Sequence, residues 1–147
     1  NWIYEEKEPQ LRIAALEMMG TLVLFTELTR KAMASDKGKL DMHFEMATDN
    51  YGNDICIVNE KSRKWPNSAI LMTLVWEAHT KGAELGVIHK KREYNKWADQ
   101  LANQDFDGFD NEKRLQVSTQ PNCWEMLETM VDLKEAENAQ RTGKRKR

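Results

Sequence analysis

Apolar and polar residues alternate strictly over residues 39–48. Leu40, Met42, Phe44, Met46 and Thr48 fall on one side, and Asp41, His43, Glu45 and Ala47 on the other. A period of two predicts a strand with one buried face. Asn50, Tyr51 and Gly52 break the pattern, so Asp49 stands where the strand gives way to a loop. In α/β sheets ligands bind outside the carboxyl ends of strands, where side chains leave the packed core but stay rigidly placed. Asp49 is therefore a candidate site residue, against the ordinary alternative that it starts a turn or caps the next helix.

A different period precedes the strand. Residues 2–4 read as the end of a strand, residues 5–9 as a polar linker, and residues 11–34 as a helix of roughly six turns. This helix is apolar on nearly every side between Ile13 and Phe25, which predicts that it is largely buried. Glu17 lies inside that run, on a face with Ile13, Ala14, Gly20, Thr21 and Leu24. A carboxylate there needs a positive partner. A lysine or arginine from another element and a metal ion are equally good candidates.

After Asp49, residues 54–61 predict a short helix. Ser68 is placed to cap a longer one over residues 69–81, which Gly82 closes. Residues 85–89 predict a short inner strand. Two strands joined by a helical crossover should lie parallel, with a right-handed connection. Asn95 is placed to cap a helix over residues 96–104, with Trp97, Ala98 and Leu101 facing inward and Asp99 in its first turns. An acid near a helix N-terminus is common, being favoured by about 0.3–1 kcal/mol. Asp105, Asp107 and Gly108 suggest a calcium loop, but the spacing is not that of an EF-hand. Pro121 introduces a last helix over residues 122–139, with Trp124, Leu127, Met130 and Val131 on one side. The tail Lys144-Arg145-Lys146-Arg147 is a basic cluster, suited to phosphates, to nuclear import or simply to solvent. The organisation read from this pass is a domain over residues 1–117, then a C-terminal helix and basic tail over residues 118–147.

Composition narrows the class. The 147 residues suit one ordinary domain, 40% hydrophobic and 31% charged, a globular balance without a disorder signature. The formal net charge of −2 does not in itself advertise a nucleic-acid partner. Two cysteines, Cys56 and Cys123, make no disulfide framework, so a reducing, intracellular setting (cytoplasmic or nuclear) is the expectation. No stretch has the form of a signal peptide, and the run over residues 13–25 is too short to span a bilayer. A first residue of Asn, followed at once by Trp2-Ile3-Tyr4, suggests a piece of something longer.

Three acids therefore carry the candidate chemistry: Glu17 in a helix, Asp49 at a strand end and Asp99 early in a later helix. Magnesium prefers hard oxygen ligands and accepts water in its remaining positions. Two such ions can clamp the attacking and leaving oxygens of a phosphoryl displacement. His43, His79 and His89 are scattered and read as structural, and no glycine-rich phosphate loop is present.

Leu16-Glu17, Thr48-Asp49-Asn50-Tyr51-Gly52-Asn53, Lys91-Arg92-Glu93-Tyr94-Asn95 and Trp97-Ala98-Asp99-Gln100-Leu101-Ala102, with Asn103-Gln104-Asp105-Phe106 and Phe109, stand in the order of the ribonuclease H fold. They most resemble the ribonuclease H-like region that follows the polymerase in retroelement reverse transcriptases, over residues 2–114. The resemblance implies an α/β fold, a mixed sheet with flanking helices, here with its opening strands missing or reduced and a helical C-terminal extension. It implies that Glu17, Asp49 and Asp99 are catalytic metal ligands for two Mg2+ or Mn2+ ions. Their reaction would be cleavage of RNA in an RNA–DNA hybrid, next to the upstream polymerase region of the same polyprotein and away from membranes. In that family a further Asp on the first strand bridges the metals, and it would have to be supplied upstream. The alternatives are a non-catalytic nucleic-acid-binding or packing module of the same fold, and an unrelated α/β interaction domain whose acids are structural.

Overall fold

The computed structural model describes residues 3, 8–35, 41–114, 116–117 and 123–145. Helix α1 (Pro9–Ser35) leads into strand β1 (Met42–Thr48). Helices α2 (Tyr51–Val58) and α3 (Asn67–Lys81) then cross over to strand β2 (Ala83–His89). Helix α4 (Lys96–Ala102) follows a 3-10 turn at Arg92–Tyr94, and helix α5 (Glu125–Arg145) is the last element among the described residues. The class is mixed α/β. The two strands pair in parallel with Met42 beside Ala83 and Thr48 beside His89, as the alternation and the helical crossover predict.

Helix α1 begins on Pro9, a residue suited to the first helical position because the N–H it lacks would have no partner there. It buries Ala15, Met18, Leu22, Phe25 and Thr29 at spacings of three and four, the stripe of an ordinary amphipathic helix. The expectation of burial on nearly every side is corrected, since Ile13, Leu16, Leu24 and Leu28 are exposed. Among the described residues α1 packs chiefly on α3 and more lightly on α2 and β1, and these neighbours reach only one face. Phe25 meets Phe44 of β1 edge to face, ring centres 5.6 Å apart, which seats α1 on the sheet. The buried Thr29 hydroxyl donates to the Phe25 carbonyl and accepts from Lys81 Nζ at 3.1 Å. Lys81 also pairs with Glu77, so the ends of α1 and α3 are tied together.

The strand begins at Met42; residues 39 and 40 lie outside those described, as do Trp2 and Tyr4 of the predicted opening strand. Ile3, between them, is a buried turn residue. One face of the sheet carries Phe44, Met46, Thr48, Leu85 and Val87 towards the helices. On the other face His43, Glu45, Ala47, Glu84 and Ile88 are exposed. The predicted inner strand is thus, among the described residues, paired only with β1 and open on one face. Gly86 lies on that open face, where an added Cβ would come within 2.7 Å of His43 Nε2.

Helix α2 starts three residues earlier than residue 54, because Asn50 caps it by accepting from the Asn53 N–H at 3.1 Å. Helix α3 starts at Asn67, with Pro66 at the cap position and no side-chain cap bond, so Ser68 is not the cap. Gly82 closes α3 in the left-handed region (φ 65°), as its sequence position predicts. Helix α4 stops at Ala102 rather than 104, and Asn95 flanks it without a side-chain cap bond. Its expected inward side chains point out: Trp97 is 77% exposed, and Ala98 and Leu101 are exposed too. Among the described residues this seven-residue helix has no substantial packing on another helix, so it has no core face to offer.

Helix α5 runs past residue 139 to Arg145, while Pro121 and Asn122 lie outside the described residues. Trp124, Leu127 and Val131 are buried in the same core as α1 and α3, with Met130 against it. Trp124 Nε1 donates to Thr26 Oγ1 at 2.9 Å, fixing the start of α5 to α1. Among the described residues no helix is long and apolar enough to cross a membrane.

Candidate functional site at the carboxyl end of the sheet

The carboxyl ends of β1 and β2 lie side by side, and the ladder extends one bond beyond them, from the Lys90 N–H to the Thr48 carbonyl at 2.8 Å. The chain bends at Asp49, and the Asn50 N–H donates back to Thr48 Oγ1 at 3.2 Å. Alternation continued from Met46 and Thr48 puts Asn50 on the face that α1 covers, and the structure seats it there. Asn50 Nδ2 donates to Glu17 Oε2 at 2.5 Å. Asp49 and Glu17 are both half-buried at this corner.

Three asparagines hold the corner. While the Asn50 amide bonds Glu17, its Oδ1 caps α2. Asn53, buried, donates through Nδ2 to the Ala14 carbonyl of α1 at 2.8 Å, and its Oδ1 accepts from Asn67 Nδ2 of α3 at 3.1 Å. The Asn67 Oδ1 is buried without a partner among the described residues. Amides suit this task because each supplies both donors and an acceptor. Three helices are thereby registered against one another one turn from Glu17.

Glu17 meets no lysine, arginine or histidine within ion-pair distance among the described residues; its carboxylate is held by a neutral amide. The cationic partner weighed for it from the sequence is not what this structure provides. Asp99 sits in the first turn of α4, half exposed, with Arg92 Nε 3.6 Å from its Oδ1. On the rim, Tyr51 at the start of α2 packs edge to face on His89 at the end of β2, ring centres 5.5 Å apart.

The structure thus brings Glu17 and the Asp49–Asn50 corner together, and it gives Asp99 a separate partner. The oxygen donors are of the kind magnesium or manganese takes. Among the described residues, however, no three acids, histidines or cysteines are gathered to hold an ion. As they stand these donors do not form a complete metal cage. The loop at residues 105–110 is likewise a turn, with Asp105 Oδ1 accepting from the Asp107 N–H and Gly108 at φ 83°.

Sequence reasoning missed Asn50, Asn53 and Asn67 and the rim pair of Tyr51 and His89. The signal for Asn50 was present, an Asn three residues before Asn53 at the end of a strand, which is cap spacing. Nothing local marks Asn53 or Asn67, whose partners are 39 and 14 residues away. Comparison with protein-family models, with characterised proteins and with solved structures finds no match.

Proposed function

We propose that this chain is a ribonuclease H-like region of a retroelement reverse transcriptase, in which Glu17, Asp49 and Asp99 serve cleavage of RNA paired with DNA. One observation carries the reading: an acid of the first helix and an acid ending the first strand share one corner at the carboxyl end of a parallel pair, through the Glu17–Asn50 bond. Ligand chemistry in α/β folds gathers at such ends. When bound, divalent ions would supply an activated water and charge neutralisation at the leaving oxygen. The residues here would hold the corner in shape: Asn50 orients Glu17, and the chain bends at Asp49 beside them. On this reading a further carboxylate, supplied by sequence upstream, would complete the donor set.

A second reading is favoured by the Arg92–Asp99 pair and by the absence of a gathered trio among the described residues. In it the same fold binds nucleic acid or packs against the polymerase region without cutting. A hybrid-cleavage assay separates the two. The chain extended upstream is incubated with an RNA–DNA hybrid and magnesium, with and without chelator, beside its Asp49→Asn variant. Metal-dependent cleavage lost in the variant supports hydrolysis. Equal cleavage by both, or none with the upstream carboxylate present, leaves the non-catalytic reading.

A further inference from the structure

Between the end of β2 and the first turn of α4 the chain reads Lys90-Lys91-Arg92-Glu93-Tyr94-Asn95-Lys96-Trp97. All but Asn95 are exposed. Four cations stand against one carboxylate in eight residues, in a chain whose formal net charge is −2. Lys90, Lys91 and Lys96 have no acid within ion-pair distance among the described residues, and Arg92 alone is shared, with Asp99. Tyr94 is 65% and Trp97 77% exposed, and neither ring rests on another aromatic or under a cation among the described residues. Large aromatics left in water and framed by unneutralised lysines are the parts of a base-stacking surface.

We propose that this segment is a binding surface for single-stranded nucleic acid, with bases stacking on Trp97 and Tyr94 and phosphates on Lys90, Lys91 and Lys96. A duplex is the poorer fit, because its base faces are already stacked and offer the rings nothing. An anionic membrane is also a poorer fit. Helix α4 has seven residues, too few for an amphipathic anchor. Trp97 borders an open hollow of about 430 Å³ that it shares with Lys96, Asp99, Gln100, Asn103 and Asp105. The surface does not depend on the carboxylate corner, and it would serve an active and an inactive form of the domain alike.

The test is titration of the full chain with fluorescent oligothymidylate and oligouridylate of roughly 15 nucleotides, a length that covers one site, in chelator throughout so that hydrolysis plays no part. Both should bind, quench tryptophan fluorescence, and weaken with salt with a log–log slope near −2, as about three phosphate contacts give on a single strand. Trp97→Ala should weaken binding roughly 5- to 100-fold, remove most of the quench and leave the circular dichroism spectrum unchanged. Trp97→Phe should keep most of the affinity. Blunt duplex of the same length and vesicles of phosphatidylcholine with phosphatidylserine are the competitors. Unchanged binding in both Trp97→Ala and Tyr94→Ala overturns the proposal, as does duplex or vesicle binding that Trp97→Ala weakens as much as it weakens that of the single strands. Loss of hybrid cleavage in the extended chain would leave these outcomes untouched.

Discussion

The side-chain amide of Asn50 donates to the carboxylate of Glu17 across 33 residues of sequence, joining the first helix to the corner that ends the first strand. The same side chain caps α2, so one residue serves two elements. Asn50→Ala should remove both bonds and cost about 2 kcal/mol, the sum expected for a cap and a hydrogen bond to a charged group. Asn50→Asp keeps the cap but sets a second carboxylate against Glu17. Its destabilisation in urea should be larger at pH 7 than at pH 4, where protonation relieves the repulsion. Equal losses at both pH values would show that Glu17 does not feel residue 50.

His43 lies across Gly86 on the open face of the sheet and pairs with Glu84 at 3.3 Å. An added methyl at 86 meets an imidazole that is half exposed and free to swing. Gly86→Ala should therefore change stability by less than about 1 kcal/mol while breaking the His43–Glu84 contact. In the His43→Ala background the same change should be stabilising. A double-mutant cycle with a coupling energy of zero would refute the contact.

Trp124 is buried at the start of α5 and bonded to Thr26 of α1. Trp124→Ala should cost about 3–5 kcal/mol and lower the denaturant midpoint of the whole chain, in one transition by both fluorescence and circular dichroism. Two separated transitions would mean that α5 folds apart from the rest.

On the surface of α5, the Glu137 carboxyl is held below its ordinary range, first by the hydrogen bond from Lys134 and then by the charge of Arg141. A depressed pKa contributes stability that is present above the unfolded value and lost as pH falls through the folded one. Any helix stabilisation from this cluster should fade on acidification below about pH 4–5. A carbon-detected titration of Glu137 should move back upward in Lys134→Ala.

Much of the scaffold was legible in the chain. Alternation over 42–48 and the Gly82 stop left little choice for β1 and α3, and a helical crossover requires parallel strands. Periodicity misjudged α1, since apolar residues on all sides cannot say which face finds a partner; Ala15 and Leu22 did, while Ile13 and Leu24 did not. It misjudged α4 for the same reason, reading Trp97 as core where no neighbour waits. The acids Glu17 and Asp49 were singled out from the sequence because a carboxylate in an apolar run and one ending a strand are each locally odd. Of the three asparagines only the cap spacing of Asn50 was visible; the bonds to Glu17, Ala14 and Asn67 link residues distant in sequence and leave no local pattern. The family assignment and the roles of the three acids remain our proposal, and the hybrid-cleavage assay decides them.

Every register pair between β1 and β2 is 41 residues apart. Closing a loop of that length costs roughly 3 kcal/mol or more of chain entropy, and a two-stranded ladder has little enthalpy of its own to set against it. The strands therefore cannot lead folding. Prior formation and docking of helices α2 and α3 would shorten the span that the two ends must cross. The bend at Asp49 hangs on the last rung of that ladder, so the acidic corner should be the latest region to acquire hydrogen-exchange protection during refolding. It should also lose protection before the core around Phe25 and Leu71 opens.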